Sequence, residues 1–355
     1  MRITKKGALL IFLGIQIVGI QILKLIPDFV EKYYSNGIYP LLSKLMRYSF
    51  GWLPISVGDI LYTAAIIYVL VWLYKNYKRI YLDTKNWLLD VGVTISIAYF
   101  AFHILWAFNY YRVPLHQALD IETTYTTKEL VDFTKQLISK SNDVHLQLSS
   151  SDTLKVDLPY TKSEVFKKVK LSYDKLSETY SHLEYKPQSL KQSLYSIPLT
   201  YMGFSGYLNP FTNEAQVDGL IPIYKFPTTS CHEVAHQLGY AAENEANFIG
   251  AIAAITNDDS YFKYSGYTFV LRYCLADIYR RDDKQYESLL KDINKGILKN
   301  YQEVQDFWKD YKNPIEPFFE KTFDTFLKAN NQSAGIKSYS YVVALMVNYY
   351  KDKPL

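Results

Sequence analysis

Three long apolar runs occupy the first third of the chain, at residues 7–26, 58–74 and 88–108. Each is long enough to cross the hydrocarbon core of a bilayer, which takes a helix of about 20 residues. The first run lacks the small-residue cleavage site of a signal peptide and is followed by two more spans, so we expect a membrane helix there as well. The pattern predicts three transmembrane helices within residues 1–110, with the lipid bilayer as their partner.

Basic residues beside these runs indicate the direction in which the chain crosses the membrane. They cluster before the first run and in the short link between the second and third runs, at Arg2, Lys5, Lys6, Lys75, Lys78, Arg79 and Lys85. Because Lys and Arg near span ends are retained in the cytoplasm, we expect the N-terminus and this link to be cytoplasmic. Residues 111–355 then form a domain outside the cytoplasm.

Helical patterns dominate this second part of the chain. Capping boxes at residues 126–129 and 161–164 predict helices that end near residues 140 and 182, with a polar loop at residues 141–160. Polar surroundings predict a surface position for two histidines, His145 and His182. From residue 243 onward the pattern is almost wholly helical.

A turn-rich stretch between residues 187 and 227 predicts short strands at residues 194–197, 203–208 and 215–223. An extended peptide can add to the edge strand of a sheet through backbone hydrogen bonds. The candidate strand for this role comprises Asn213, Glu214, Ala215, Gln216 and Val217, and an ordinary hairpin strand is the alternative. We therefore expect a mainly α fold with a small β part.

The strongest chemical signal is H-E-x-x-H, formed by His232, Glu233 and His236. On a helix, histidines four residues apart project from one face, so both imidazoles can reach one Zn²⁺ while Glu233 lies beside them. Residues 230–233 also read as a capping box, in which Glu233 would only bond back to the start of the helix. That alternative leaves the two histidines unexplained.

A catalytic zinc ion needs a third protein ligand. Gly239 predicts the end of the motif helix, and a second helix is expected to start near Glu243. Glu243 is the preferred third ligand and Glu245 the alternative, since both lie in the first turn of that helix. Asn247 resembles the residue that orients a histidine ligand through a hydrogen bond. Ala242 stands where the third histidine of a longer motif would be, which excludes that subclass.

Charge and cysteine content change this picture little. The net charge of +4 is spread along the chain, so no nucleic-acid partner is indicated. The two cysteines, Cys231 and Cys274, could pair outside the cytoplasm or remain as free buried thiols.

Several segments carry a family resemblance: residues 109–112 (NYYR), 205–215 (SGYLNPFTNEA), 231–239 (CHEVAHQLG), 243–248 (ENEANF) and 264–267 (YSGY). They resemble the domain-of-unknown-function 3810 family of bacterial membrane proteins. The resemblance implies a membrane-bound, zinc-dependent, peptidase-like protein in the bacterial cytoplasmic (inner) membrane. The family name records no activity or substrate.

The expected function is hydrolysis of a peptide or protein substrate by a zincin-like domain of the gluzincin type, with Zn²⁺ as cofactor and Glu233 as general base. Candidate groups for stabilising the transition state are Tyr264, Tyr267 and Arg272, although packing roles are the favoured explanation for all three. A different class of function is a catalytically silent membrane sensor or scaffold with a structural zinc site. Such a site needs a fourth ligand, which Cys231 or Glu245 could supply.

Overall fold

The structure is a computed structural model that describes residues 4–355; Arg2, which entered the topology prediction, lies outside the described residues. The chain is mainly helical with one small sheet, as its sequence predicts. The helices are α1 Lys5–Leu23, α2 Pro27–Phe29, α3 Tyr39–Phe50, α4 Val57–Asn76, α5 Arg79–Leu82, α6 Thr84–Leu105, α7 Leu115–Ala118, α8 Thr127–Leu148, α9 Lys162–Thr179, α10 Ser196–Met202, α11 Phe226–Gln237, α12 Glu243–Thr256, α13 Ser260–Arg281, α14 Asp283–Leu290, α15 Lys295–Asp310, α16 Glu316–Ala329 and α17 Val342–Tyr349. The strands are β1 Leu190–Gln192, β2 Gly206–Asn209 and β3 Glu214–Val217.

Three helices, α1, α4 and α6, are long and apolar enough to cross a membrane, and they match the three predicted spans. Helices α1 and α6 pack side by side, where the Gln16 amide donates to the Ser96 carbonyl at 3.3 Å. Near their N-terminal ends, Asp90 accepts hydrogen bonds from Lys6 and from Arg79, which lies in the link after α4. The basic start of the chain and the basic link therefore lie at the same end of the three helices.

The segment between the first two spans forms one continuous helical stretch that the sequence did not indicate. It consists of α2, a π-helical portion Val30–Ile38 and α3. One face of α3 is buried against the following domain, where Arg47 donates to the Pro187 carbonyl at 3.0 Å. The other face exposes large apolar side chains, namely Leu41, Leu45 and Tyr48. Helix α3 is thus amphipathic beside the membrane helices.

The sheet has the order β1-β3-β2, with β1 parallel and β2 antiparallel to β3. Ala215 of β3 is paired with Leu190 on one side and with Leu208 on the other. The prediction that residues 213–217 (Asn213, Glu214, Ala215, Gln216 and Val217) form an edge strand is therefore wrong, because both edges of β3 are occupied. The edge strand beside the motif helix is β2.

Two other predictions in this region need correction. Residues 194–197 are not a strand, because the Asp59 carboxylate accepts the Leu194 N–H at 2.7 Å and the Ser193 hydroxyl at 3.0 Å, and α10 begins directly afterwards. The proposed loop at residues 141–160 begins later than expected, since α8 continues to Leu148. The strand prediction failed because Asp59, which lies on the distant helix α4, binds the residues at its start.

Both predicted capping boxes, at the start of α8 and of α9, are present. His145 is fully buried rather than on the surface, because its Nε2 lies 2.8 Å from the Leu154 carbonyl and its Nδ1 lies 3.1 Å from the Asn294 amide. His182 is exposed as predicted. Both partners of His145 become close only in the folded chain, so its polar neighbours in sequence were misleading.

The apolar core has two parts. The larger part lies among the helices that follow residue 126 and includes the whole apolar face of α12. The smaller part joins the ends of the membrane helices to the domain, through side chains such as Ile20, Tyr39, Trp106 and Leu208. Packing therefore continues across residue 110. Cys231 and Cys274 are both buried, free thiols.

Candidate metal centre

The H-E-x-x-H residues lie in the last two turns of α11. The helix starts at Phe226 with Pro227 in its first turn, so Ser230 is a helix-interior residue and the capping-box interpretation of residues 230–233 is wrong. Gly239 has φ +96°, a left-handed conformation that glycine adopts without strain, and there the chain reverses. Helix α12 then begins at Glu243, as the sequence predicts.

Helices α11 and α12 approach each other closely. A Cβ atom placed on Gly250 of α12 would lie 2.7 Å from the His232 backbone nitrogen and 2.8 Å from its Cα atom. Any larger residue at position 250 would push the backbones apart. This contact brings the first turn of α12, with Glu243, against the histidine face of α11.

One carboxylate oxygen meets both imidazoles. Glu243 Oε2 lies 3.4 Å from His232 Nε2 and 3.4 Å from His236 Nε2. The potential ligand atoms of these three residues all lie within 4.8 Å of one another, and across residues 4–355 no other such group of His, Cys, Asp and Glu side chains is found. Glu245 lies elsewhere, since its Oε1 accepts the Leu115 N–H at 2.6 Å. The structure therefore brings Glu243, the preferred third ligand, to the two histidines, and it does not bring Glu245 there.

The other ring nitrogens of the two histidines differ in their contacts. His236 Nδ1 lies 2.7 Å from the Tyr240 carbonyl, which favours a proton on Nδ1, while Nε2 faces Glu243. His232 Nδ1 is buried and has no hydrogen-bond partner within the described part of the chain. Asn247 lies close enough to raise the pKa of His232, but the two side chains do not meet hydrogen-bond geometry. The predicted role of Asn247 in orienting His232 stays a prediction.

Burial dominates the electrostatics of the cluster. It raises the pKa of Glu233 to about 8 and lowers the pKa of His232. Burial also opposes the charge of His236 and Glu243, but their mutual attraction is stronger: it raises the pKa of His236 to about 9 and holds that of Glu243 well below its usual range. The cluster is therefore charged inside a poorly hydrated site.

This donor set fits zinc. Two imidazole nitrogens and one carboxylate oxygen are the protein ligands of a common class of catalytic zinc site. Glu243 Oε2 is buried without a hydrogen-bond partner anywhere in residues 4–355, so it is available as a ligand. A bound cation would compensate its negative charge as the imidazoles do now.

The cluster lies at the bottom of a cavity of about 960 Å³. Glu233 also lines this cavity, and strand β2 passes directly beside it, because a Cβ atom placed on Gly206 would lie 2.5 Å from Glu233 Oε1. Residues 205–208 line the cavity as well. Within residues 4–355 the outer edge of β2 has no strand partner. The site thus combines a carboxylate, a potential metal site and an available strand edge.

The membrane-proximal part of the chain supports the end of α11. The last carbonyls of a helix lack partners within the helix itself. Here Trp106 donates to the His236 carbonyl at 3.3 Å, Tyr39 donates to the Gln237 carbonyl at 2.9 Å, and Arg112 donates to the Gly239 carbonyl at 3.0 Å. Arg112 is held in turn by Glu31 through two hydrogen bonds. The position of His236 therefore depends on residues next to and between the membrane helices.

Only one of the three predicted transition-state stabilisers reaches the cavity. Arg272 lines it, whereas the Tyr264 hydroxyl donates to Asn300 Oδ1 at 2.7 Å and Tyr267 is buried away from the lining. Both tyrosines therefore fit the packing explanation. Polar side chains that sequence reasoning missed also line the cavity: Tyr110, Lys225, Thr229, Tyr273 and Tyr339.

The charge of Glu243 acts on two of these missed residues, Tyr110 and Tyr339. Burial and the Glu243 carboxylate raise the pKa of both Tyr110 and Tyr339 well above 10, so both hydroxyls keep their protons. Tyr110 belongs to the segment NYYR at residues 109–112, which was a sequence signal for it. Tyr339 had none among 34 tyrosines, because it is separated from Glu243 by almost a hundred residues.

Comparison with known proteins was made on the whole chain. The model of a family described as "Protein of unknown function (DUF3810)" matches residues 34–347, which include the complete cluster and two of the three apolar helices. No curated protein and no solved structure matches the chain. The match covers nearly the whole sequence, and the chain therefore belongs to the DUF3810 family.

Proposed function

We propose that this chain is a membrane-anchored zinc metallopeptidase with a zincin-like domain of the gluzincin type. The observation that carries the proposal is the meeting of His232 Nε2 and His236 Nε2 at one oxygen of Glu243, with Glu233 in the same cavity. The free edge of β2 supports a peptide as the substrate, since an extended chain could pair with it beside Glu233.

Zn²⁺ held by His232, His236 and Glu243 would supply a Lewis acid that polarises the scissile carbonyl and acidifies water. Glu233 accepts a proton from the attacking water and delivers it to the leaving amine, so one peptide bond and one water yield a carboxylate and an amine. The raised pKa of Glu233 brings it near the range that suits this proton transfer. Tyr110, Tyr339 and Arg272 are donors for the negative charge that develops on the carbonyl oxygen.

The rival hypothesis is a silent scaffold with a structural zinc ion. It requires a fourth protein ligand. Both sequence candidates for that role lie away from the cluster: Glu245 accepts the Leu115 N–H, and the Cys231 thiol is fully buried with its pKa raised to about 12 by burial. Because neither side chain belongs to the group formed by His232, His236 and Glu243, an open coordination position and a catalytic site are supported.

The expected location is the bacterial cytoplasmic membrane, with the N-terminus in the cytoplasm and the cavity on the opposite side. Lys6, Arg79 and Asp90 lie together at one end of the three helices, and the cavity lies at the other end. Basic residues favour the cytoplasmic side, which supports this orientation. The substrates are then peptides or proteins outside the cytoplasm.

The metal site is tested by measuring zinc in the purified full-length chain. We expect about one zinc ion per chain and its loss in His232→Ala and His236→Ala. Glu243→Gln should weaken zinc binding more than about 100-fold, beyond the range of residues that only support a ligand, whereas Glu245→Gln should stay within about 10-fold. Full zinc occupancy in both histidine variants contradicts the site, and the reverse order of the two glutamate variants assigns the third ligand to Glu245.

The catalytic role is tested with Glu233→Gln, which keeps the shape of the side chain but cannot accept the proton. Zinc content and thermal stability should match those of the wild type, while peptide hydrolysis should fall by about two to four powers of ten. Substrates can be identified by comparing envelope peptides from cells that carry either form. If no peptide differs although zinc removal still unfolds the domain, the scaffold hypothesis is correct.

A further inference from the structure

Helix α4 stands apart from the other two membrane helices. Between residues 60 and 75 every residue is exposed except Tyr62 and Trp72, which are partly buried. Helices α1 and α6, in contrast, contact each other through hydrogen bonds and through the rings of Phe12 and Phe100, with centroids 5.5 Å apart. A gap therefore separates the middle of α4 from the α1–α6 pair.

The helix is held at both of its ends. Near one end the ring of Trp72 lies 5.9 Å from that of Trp87. At the other end Asp59 accepts hydrogen bonds from Ser193, Leu194 and Tyr207 of the domain. These attachments keep the gap between the helices in place. The end of the gap next to Asp59 lies against the domain.

The end of this gap next to Asp59 opens into the cavity of the candidate metal centre. Tyr62, in the second turn of α4, and Phe102, in the last turn of α6, line the same cavity as His232 and Glu233. Both are residues of membrane-spanning helices. A chain lying between α4 and α6 would thus reach the catalytic site directly after it leaves the bilayer.

Aromatic rings form part of the wall between the gap and the cluster, which also carries Glu316 and Glu320 of α16. The ring of Phe102 lies 6.1 Å from that of Phe326 in α16. The Phe326 ring stacks on the ring of Phe323, and the ring of Phe204 packs on Phe323 as well. Leu194, which precedes α10, is exposed, with 59% of its surface accessible, next to the end of α4. Such a surface favours contact with hydrocarbon over contact with water.

We propose that the substrates are polypeptides held in the bilayer by an apolar anchor, and that the anchor enters between α4 and α6. The residues that follow the anchor then pair with the edge of β2, which carries them past Glu233. The inference rests on the proposed peptidase function and specifies its substrate class. The gap suits this occupant because apolar rings, those of Phe102, Phe204, Phe323 and Phe326, line the path from the lipid phase to the cavity.

The entry site can be tested without turnover. Glu233→Gln protein is reconstituted in vesicles of phosphatidylethanolamine and phosphatidylglycerol with random octapeptides linked to a leucine-rich membrane helix, to a palmitoyl chain or to no anchor. A benzophenone at the junction reports contacts by photocrosslinking. We expect adducts on the segments that contain Tyr62 and Phe102, with a yield at least about tenfold above that of the unanchored peptides because the anchor raises the local concentration.

The position of the adducts separates entry through the gap from mere partitioning into lipid. Adducts that fall equally on the exposed Ile15 of α1 overturn the proposal, and so does a crosslink between two copies of the chain at Tyr62, which would assign the gap to a dimer. The palmitoyl and helical arms distinguish the two forms of anchor, and labelling at the gap by either one supports the proposal.

Hydrolysis by the wild-type chain supplies the second readout. Phe102→Glu places a charge at the entry and should lower the ratio of anchored to unanchored peptide cleavage by about tenfold, since an apolar anchor avoids a charge. Ile97→Glu, at an exposed position of the same helix outside the cavity lining, is the matched control and should keep the ratio. Equal cleavage of anchored and unanchored peptides overturns this inference alone. Labelling at the gap without any cleavage contradicts the proposed peptidase function alone.

Discussion

At the scale of single residues, Gly206 controls how closely the sheet approaches the proposed general base. The position that a Cβ atom would occupy lies 2.5 Å from Glu233 Oε1 and 2.6 Å from the Gln216 carbonyl. Neither distance leaves room for a methyl group. Glycine at this position therefore lets β2 lie directly on the Glu233 carboxylate.

We expect Gly206→Ala to displace the Glu233 carboxylate while zinc remains bound, because the three atoms nearest to the new Cβ atom belong to Glu233 and Gln216 and not to a proposed zinc ligand. A displacement of about 1 Å can lower the rate about 100-fold. Zinc content and peptide hydrolysis are the measurements. Gly219→Ala is the control, since a Cβ atom there meets only the flexible, exposed side chain of Gln192. Unchanged hydrolysis in Gly206→Ala would mean that Glu233 does not need this position.

At the scale of elements, the site is a product of two helices that share one close contact. Helix α11 carries both histidines and α12 carries Glu243, and Gly250 lies where the two backbones meet. The carbonyls at the end of α11 accept hydrogen bonds from Trp106 and Tyr39, so the helix is also fixed from the membrane side. The distance between the ligands is thereby set by packing rather than by the ligands themselves.

Gly250→Ala should separate α11 from α12, since the added methyl group would meet the His232 backbone, which cannot rotate away. Overpacking of this kind destabilises a protein by about 1–3 kcal/mol. We expect a lower unfolding midpoint and weaker zinc binding, measured by thermal unfolding and by competition with a chelator. Gly19→Ala in α1, where no atom lies within 4 Å of the new Cβ, should change neither quantity. Zinc affinity equal to that of the wild type would show that the helices tolerate a wider separation.

At the scale of the whole molecule, the cavity beside the candidate metal centre and the basic link lie at opposite ends of the three apolar helices. Lys6 and Arg79 share Asp90 at one end, while Tyr62 and Phe102 line the cavity at the other. If the helices span a bilayer, the two ends lie in different compartments.

A topology reporter decides which compartment holds the cavity. A reporter that is active only outside the cytoplasm should be active when fused after Leu355 and silent when fused near Lys78, because the basic link is retained inside. Matched fusions with a reporter active only in the cytoplasm should give the opposite pattern. A cytoplasmic signal after Leu355 would reverse the orientation and move the substrates to the other compartment.

The sequence by itself determined the features that depend on neighbours along the chain. Helical periodicity places His232 and His236 on one face, Gly239 ends that helix, and the apolar runs have the length of membrane spans. Each of these follows from local geometry, whatever the rest of the molecule does. The same holds for the two capping boxes and for the start of α12 at Glu243.

Only the tertiary structure decided what depends on contacts between distant segments. Asp59 turns a predicted strand into the start of α10, and strand pairing makes β2 rather than β3 the edge beside Glu233. The burial of His145 and the position of Tyr339 beside Glu243 have the same origin. Residues more than a hundred positions apart, such as Phe102 and His232, line one cavity because packing brings several helices and a strand edge together, and no local pattern specifies that arrangement.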